Sequence, residues 1–249
     1  ITQRATVRPH PAFSGRTMLG IGAYVLFLSA SAQTYGFSVF IDPMLAEFGW
    51  SRSLISSAYT VATLVSAAVV FMGGGLIDRF GHHRVMVTVT AGFVIALLAM
   101  GSVVNPVTLL LAFTLLRATG SSMLTLTGRT LVAQWFVRRR GRAVSLINLG
   151  KMLGMAAVPA GNAFLITHVG WRDAWRLNAV LVATLIPLAL LLVHNRPESI
   201  GQFPDGVKPE RGPVSDAAGG PDADASWTLR QAMTTRAFWL LLCASIVPA

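Results

Sequence analysis

Apolar residues arrive along this chain in blocks of twenty or more, at about 17–41, 53–77, 85–104, 107–135, 143–167 and 174–193, and a further block opens at Ala237. Each of the six complete blocks reaches the ~20 residues that a helix needs to cross the hydrocarbon of a bilayer. The fourth is long enough to tilt or to project beyond it. Short polar stretches separate them: Asp42–Arg52, Asp78–Arg84, Asn105–Pro106, Arg138–Arg142 and His168–Asp173. A soluble domain has too small an interior to hide six such blocks. The pattern therefore predicts an all-α membrane protein, in which each spanning helix satisfies its own backbone hydrogen bonds.

The same pattern divides the chain into an amino-terminal tail (1–16), a six-helix transmembrane domain (17–193), a linker (194–235) and the start of a seventh helix (236–249). In the linker, Gly206, Pro209, Gly212, Pro213, Gly219, Gly220 and Pro221 alternate with Asp and Ala, the composition of a flexible connection. Thr228-Leu229-Arg230-Gln231 has the spacing of a helix capping box just before the seventh block.

Composition supports the pattern: 53% of residues are hydrophobic and 12% are charged, with a mean hydropathy of +0.61. These values exclude a soluble enzyme, a disordered chain and a coiled coil. The net charge is +10, but the basic residues sit in short loops between apolar blocks, so they read as topological charge and not as a nucleic-acid surface. Counted by alternate sides, fourteen basic residues (among them Arg79, Arg84, Arg138, Arg139, Arg140, Arg142 and Arg196) oppose three, Arg52, Arg172 and Arg176. The positive-inside rule then assigns the amino terminus and the linker to the cytosol, with the protein in a plasma (inner) membrane. Ala30-Ser31-Ala32 has the form of a signal-cleavage site, yet Phe37-Ser38-Val39-Phe40-Ile41 continues the apolar run past it, so the first block reads as an uncleaved span. The single cysteine, Cys243, excludes an internal disulfide and a Cys-rich metal site. No cofactor is expected.

A faint repeat links the two halves of the six-span region. Leu76-Ile77-Asp78-Arg79-Phe80-Gly81 closes span two and Leu165-Ile166-Thr167-His168-Val169-Gly170 closes span five, at matching places on opposite faces. Inverted repeats of transporters have this correspondence.

Gly74-Gly75-Leu76-Ile77-Asp78-Arg79-Phe80-Gly81-His82-His83-Arg84 resembles the signature between helices 2 and 3 of the major facilitator superfamily, G-x-L-x-D-R-x-G-x-x-R. Phe48-Gly49-Trp50-Ser51-Arg52, the run Trp135 to Ala143, and Arg196-Pro197-Glu198 followed by Pro204-Asp205-Gly206 are similar to its monocarboxylate-porter and oxalate–formate-antiporter branch. Gly170-Trp171-Arg172 is shared more widely in the superfamily. The resemblance runs from about Gly20 to Trp239. It implies one six-helix half of a major-facilitator fold, a 3+3 inverted repeat, with a carboxy-terminal six-helix half as its missing partner. It also implies that Gly74, Asp78, Arg79, Gly81 and Arg84 act in conformational switching, Gly74 by close helix approach, Gly81 by turning the chain and Asp78 by pairing with neighbouring arginines. Arg117-Ala118-Thr119-Gly120 is one residue shorter than the R-x-x-x-G of many proton-coupled members, which weighs against drug/proton antiport.

Charges inside spans are costly and are functional by default. Arg117 and Lys151 both fall within roughly 6 Å of the midplane on a 1.5 Å rise per residue, and no acidic residue lies inside a complete span to pair with them. Either an anionic substrate supplies the missing charge, or backbone carbonyls or the carboxy-terminal half pair with the two cations. Gln33 and Asn148 are the polar candidates beside them, as cavity lining or interhelical hydrogen-bond partners. Arg129, nearer a helix end, reads as structural. Gly150, Gly154, Ala157 and Gly161 form a small-residue packing stripe, and Trp50, Trp135, Trp171 and Trp175 mark the span ends as interfacial anchors. His82 and His83 lack further metal ligands nearby. The sequence thus predicts a secondary transporter, and not an enzyme, whose partners are a small organic anion (a mono- or dicarboxylate) and the lipid bilayer. The alternatives are a proton-antiporting carrier of another solute or drug, and a non-transporting half acting as a scaffold.

Overall fold

The computed structural model of the protein describes residues 14–206 together with Thr234, Thr235 and Trp239. The tail before Ser14, the linker beyond Gly206, nearly all of the seventh block and Cys243 lie outside the described residues. Among those described, the chain is helical throughout. The helices are α1 (Gly15–Leu28), α2 (Thr34–Ser38), α3 (Ile41–Phe48), α4 (Arg52–Gly101), α5 (Pro106–Leu116), α6 (Thr125–Trp135), α7 (Arg140–Val169), α8 (Trp171–Ala183) and α9 (Leu185–Leu192). Among the described residues five stretches are long and apolar enough to cross a membrane: Arg52–Val70, Met72–Gly101, Pro106–Trp135, Arg140–Val169 and Trp171–Leu192.

Local chemistry sets the helix ends. The Ser51 side chain accepts from the Leu54 amide and starts α4. Asn105 and Thr108 form a reciprocal capping box at α5, with Pro106 at the first helical position. Within α4 the backbone turns at Gly81, whose φ of 80° and ψ of 160° suit a residue without Cβ. Residues 52–80 and 82–101 are therefore two helices, as the apolar blocks predicted. Arg117–Leu124, between α5 and α6, is wound as a π-helix, a form that concentrates at functional sites.

The first predicted span departs from expectation. The block 17–41 is not one helix: α1 tightens into a 3-10 turn at Ser29–Ala32, and Gln33 is extended (φ −84°, ψ 161°) before α2 begins. Hydropathy does not register this break, because one polar residue barely changes the average over the block.

Two glycine assignments also change. A Cβ on Gly74 would meet open space, whereas one on Gly73 would press on Met123 and Leu126. Gly73, not Gly74, makes the close approach between α4 and the fourth span. In the α7 stripe, Gly150 and Gly154 lie against the α1 backbone at Ala23 and Phe27, while Gly161 has open space and Ala157 is exposed. Two of the span-end tryptophans also belong to the core. Trp135 and Trp175 are fully buried, and Trp175 stacks on Phe40 at 4.1 Å. Flat apolar rings fill the junction where several helices meet, and the core thereby takes residues that hydropathy placed at the rim.

Candidate functional site

The break in the first span is held by a buried polar lattice. Ser31 Oγ donates to Asn178 Oδ1 at 3.0 Å, Asn178 Nδ2 donates to Asn162 Oδ1 at 2.8 Å, and Asn162 Nδ2 donates to the Gly36 carbonyl at 3.3 Å. Ser31, Asn162 and Asn178 are all buried. A buried polar group is costly unless it is paired, so the lattice ties the broken segment to α7 and α8. Sequence reading missed Asn162 and Asn178. The signal for them was available: two asparagines, each inside an apolar block.

Arg117 begins the π-helical segment and reaches the same break. Its Nη1 donates to the Tyr59 hydroxyl at 2.8 Å and to the Ala32 carbonyl at 3.4 Å, and its Cζ lies 4.8 Å from the Tyr59 ring centroid. Its Nε is buried and has no hydrogen-bond partner among the described residues. Tyr59 shares a 2.6 Å hydrogen bond with Thr34 and stands edge-on to Phe113 at 5.6 Å. Thus the guanidinium is positioned from one side, with donor capacity left over. Tyr59 is a further site residue that composition gave no reason to select.

Lys151 lies on the stripe of α7 that carries buried Ile147 one turn before and buried Gly154 one turn after. It is half-buried, and among the described residues it forms no ion pair or hydrogen bond. Gly150 beside it packs on Ala23, whereas Arg117 bonds to Ala32. At 1.5 Å per residue, the two cations thus sit about 13 Å apart in depth along the first span, so they do not meet at one point. The Gln33 and Asn148 side chains are half-buried and likewise without a hydrogen bond among the described residues. Gln33 is at the break itself.

At the arginine-rich face, the Gly81 turn is seated on Asn195. The His83 amide donates to Asn195 Oδ1 at 2.9 Å, and a Cβ on Gly81 would come within 2.8 Å of that oxygen. Asp78 is exposed and, among the described residues, forms no ion pair. Instead of pairing with Arg79 or Arg84, it lines a cavity of about 220 Å³ with Gly74, His82 and Arg140. Arg79 lies over the Phe80 ring. The start of the linker is ordered as a strap: Gln202 Oε1 accepts from the Ser14 amide at 2.9 Å, and the Asp205 carboxylate accepts from the amides of Val137, Arg138 and Arg139.

The opposite face carries a clasp. Arg172 Nη2 pairs with Glu47 Oε1 at 2.6 Å, Arg172 Nη1 donates to the Val103 carbonyl at 2.8 Å, and Trp171 Nε1 donates to Glu47 Oε2 at 2.6 Å. The Arg172 hydrogen bond, then that of Trp171, holds the Glu47 carboxyl below its ordinary range. Among the described residues, no group of His, Cys, Asp and Glu suited to a metal occurs.

The family model of the Major Facilitator Superfamily matches residues 23–249. The chain belongs to this superfamily. With five apolar helices of spanning length, it is an integral membrane protein. It is a transporter-family chain and not an enzyme, and several of the proteins similar to it are named as transporters. The Multidrug resistance protein B homolog of Mycobacterium tuberculosis is 26% identical over 161 residues, 64% of this chain and 30% of that protein. The Gallate transporter of Pseudomonas putida is 27% identical over 187 residues, 74% of this chain and 39% of that protein. The Probable anion transporter 4, chloroplastic, of Oryza sativa subsp. japonica is 26% identical over 195 residues, 74% of this chain and 32% of that protein. The chain spans less than half of the length of these relatives.

Proposed function

We propose that this chain is the amino-terminal six-helix half, a 3+3 inverted repeat, of a secondary transporter that moves a small organic anion by alternating access. The substrate is a mono- or dicarboxylate, as in the monocarboxylate-porter and oxalate–formate branch. One observation carries the reading: among the described residues Arg117 keeps an unpaired donor beside the broken first span, and Lys151, on α7 nearer the start of that span, forms no ion pair or hydrogen bond. Discontinuous helices near the midplane supply substrate sites in transporters, and a carboxylate matches the free donors of a guanidinium and an ammonium. Gln33 lies at the break with Arg117, and Asn148 lies about one turn before Lys151 on α7. The names of the gallate and anion-transporter relatives agree with an anionic substrate. The carboxy-terminal half completes the cavity, and the amino terminus and linker face the cytosol in the plasma membrane.

The test is transport and equilibrium binding by the complete transporter in proteoliposomes. Lys151→Gln lowers affinity for the carboxylate by about 10- to 100-fold, the value of a hydrogen bond to a charged group, while membrane insertion is retained. Lys151→Arg falls in between, since a planar fork and a compact ammonium hold a carboxylate differently. Wild-type binding and transport by Lys151→Gln overturns its role and leaves the anion to Arg117. Asp78→Asn slows exchange between conformations with little change in affinity, because Asp78 lies at the rim.

The multidrug relative favours a second reading, proton-coupled export of a neutral or cationic solute. Proton movement driven by such solutes, with no response to carboxylates, establishes that reading in place of the first.

A further inference from the structure

Asp205 sits beside four arginines and directs its carboxylate to none of their side chains. Its Oδ2 accepts from the backbone amides of Val137 at 3.1 Å and Arg138 at 2.6 Å, and its Oδ1 accepts from that of Arg139 at 3.2 Å. The backbone of Asp205 is left-handed, with φ of 59°, which is uncommon for a residue with a side chain. A carboxylate among guanidiniums ordinarily forms a forked ion pair. Here it braces the loop instead, and the guanidiniums keep their charge. Arg138, Arg139, Arg140 and Arg142 are all exposed, and among the described residues none takes part in an ion pair. Arg140 shares a cavity with Asp78, which leaves Arg138, Arg139 and Arg142 to the surface.

Position makes this array unfavourable by itself. The arginines cluster at the amino terminus of α7, a helix of 30 residues with no acidic residue in its first turn. That end of a helix carries the positive pole of the macrodipole and favours anions. The loop also joins the ends of two spanning stretches, Pro106–Trp135 and Arg140–Val169, and so lies at the level where lipid headgroups meet water. Juxtamembrane arginines are attracted there by anionic lipid.

We propose that the Asp205-braced loop is a docking site for anionic phospholipid headgroups. Arg138, Arg139 and Arg142 contact the phosphates, and Asp205 holds the backbone that presents them. This assignment is independent of the transported substrate.

The full chain, purified into mixed micelles holding equimolar phosphatidylglycerol and phosphatidylcholine, provides the test, with retained lipids counted by native mass spectrometry. The unaltered chain retains phosphatidylglycerol preferentially. The double variant Arg138→Gln/Arg139→Gln reduces that preference about 25-fold, from roughly a factor of five per arginine near a surface. Asp205→Asn is the sharper variant. It keeps every arginine and adds one positive charge, so a simple charge count predicts stronger retention, whereas loss of the brace lowers retention about threefold. Arg52→Gln, on the other face, leaves the preference unchanged. Equal retention of the two lipids by the unaltered chain overturns the proposal, as does an unchanged preference in the double variant, which alters exposed side chains and so keeps the fold.

Discussion

Two acids secure the two ends of this helical unit, and they do so with different partners. Glu47 joins Arg172, whose guanidinium also bonds to the Val103 carbonyl and lies 4.4 Å from the Trp171 ring centroid. Asp205 joins three backbone amides and leaves its arginine neighbours unpaired. At the arginine-poor face charge is neutralised on the spot and one side chain links three segments. At the arginine-rich face the acid shapes a loop while the positive charge persists. The contrast shows that an acid beside an arginine in the sequence is not thereby its partner: Asp78 adjoins Arg79 and pairs with no arginine among the described residues, whereas Glu47 and Arg172 pair across 125 residues.

The comparison can be broken most forcefully at Arg172. Arg172→Leu removes an ion pair, a carbonyl bond and aromatic stacking together, and should destabilise the chain by about 3 kcal/mol, the order of a partly shielded charge-assisted cluster. Thermal unfolding in detergent measures it. A loss near zero would reduce the clasp to an ordinary surface ion pair.

Next comes the seat of the strap. Gly81→Ala should cost about 2 kcal/mol, as expected for a side chain forced into a glycine conformation, and its Cβ also meets Asn195. Adding Asn195→Ala should recover the steric part while the backbone part persists, which a double-mutant cycle resolves. Smaller again, Asp205→Ala should cost about 1–2 kcal/mol by leaving three loop amides without their acceptor. If it matched Arg172→Leu, the two ends would be energetically alike and the contrast would fail.

The mildest test is pH. The Glu47 carboxyl is held below its ordinary value of 4.5 by the Arg172 and Trp171 hydrogen bonds. A depressed folded-state pKa means that the stabilisation is complete above about pH 4.5 and is lost as pH falls through the lower folded value. Stability of the unaltered chain should therefore decline in acid more than that of Glu47→Gln. Parallel curves would separate Glu47 from the clasp.

Much of the architecture was legible because it depends on local chemistry. The block boundaries near Arg52 and Pro106 coincide with a serine cap and a capping box, signals contained in a few adjacent residues. Gly81 was legible as a turn for the same reason. Lys151 and Arg117 stood out because a charge inside an apolar block is costly wherever the helix packs. The break at Gln33 was not legible, since its cause is remote: Asn162 and Asn178 hold the segment from two other helices. Tyr59 was hidden because one tyrosine in a helix has no distinguishing periodicity until Arg117 is seen against its hydroxyl.

By itself, then, the sequence determined that this is a bundle of membrane-spanning helices, where most of those helices begin and end, and that basic residues, Arg117 and Lys151 among them, lie inside the apolar blocks. These follow from hydropathy, capping and the cost of burying charge, all of which act over one helix or less. The tertiary structure decided which glycine makes the close approach, which tryptophans enter the core, where the first span breaks and which partner each acid takes. Those outcomes depend on contacts between residues far apart in the chain, where packing and hydrogen-bond geometry, not neighbouring residue types, select the lower free energy.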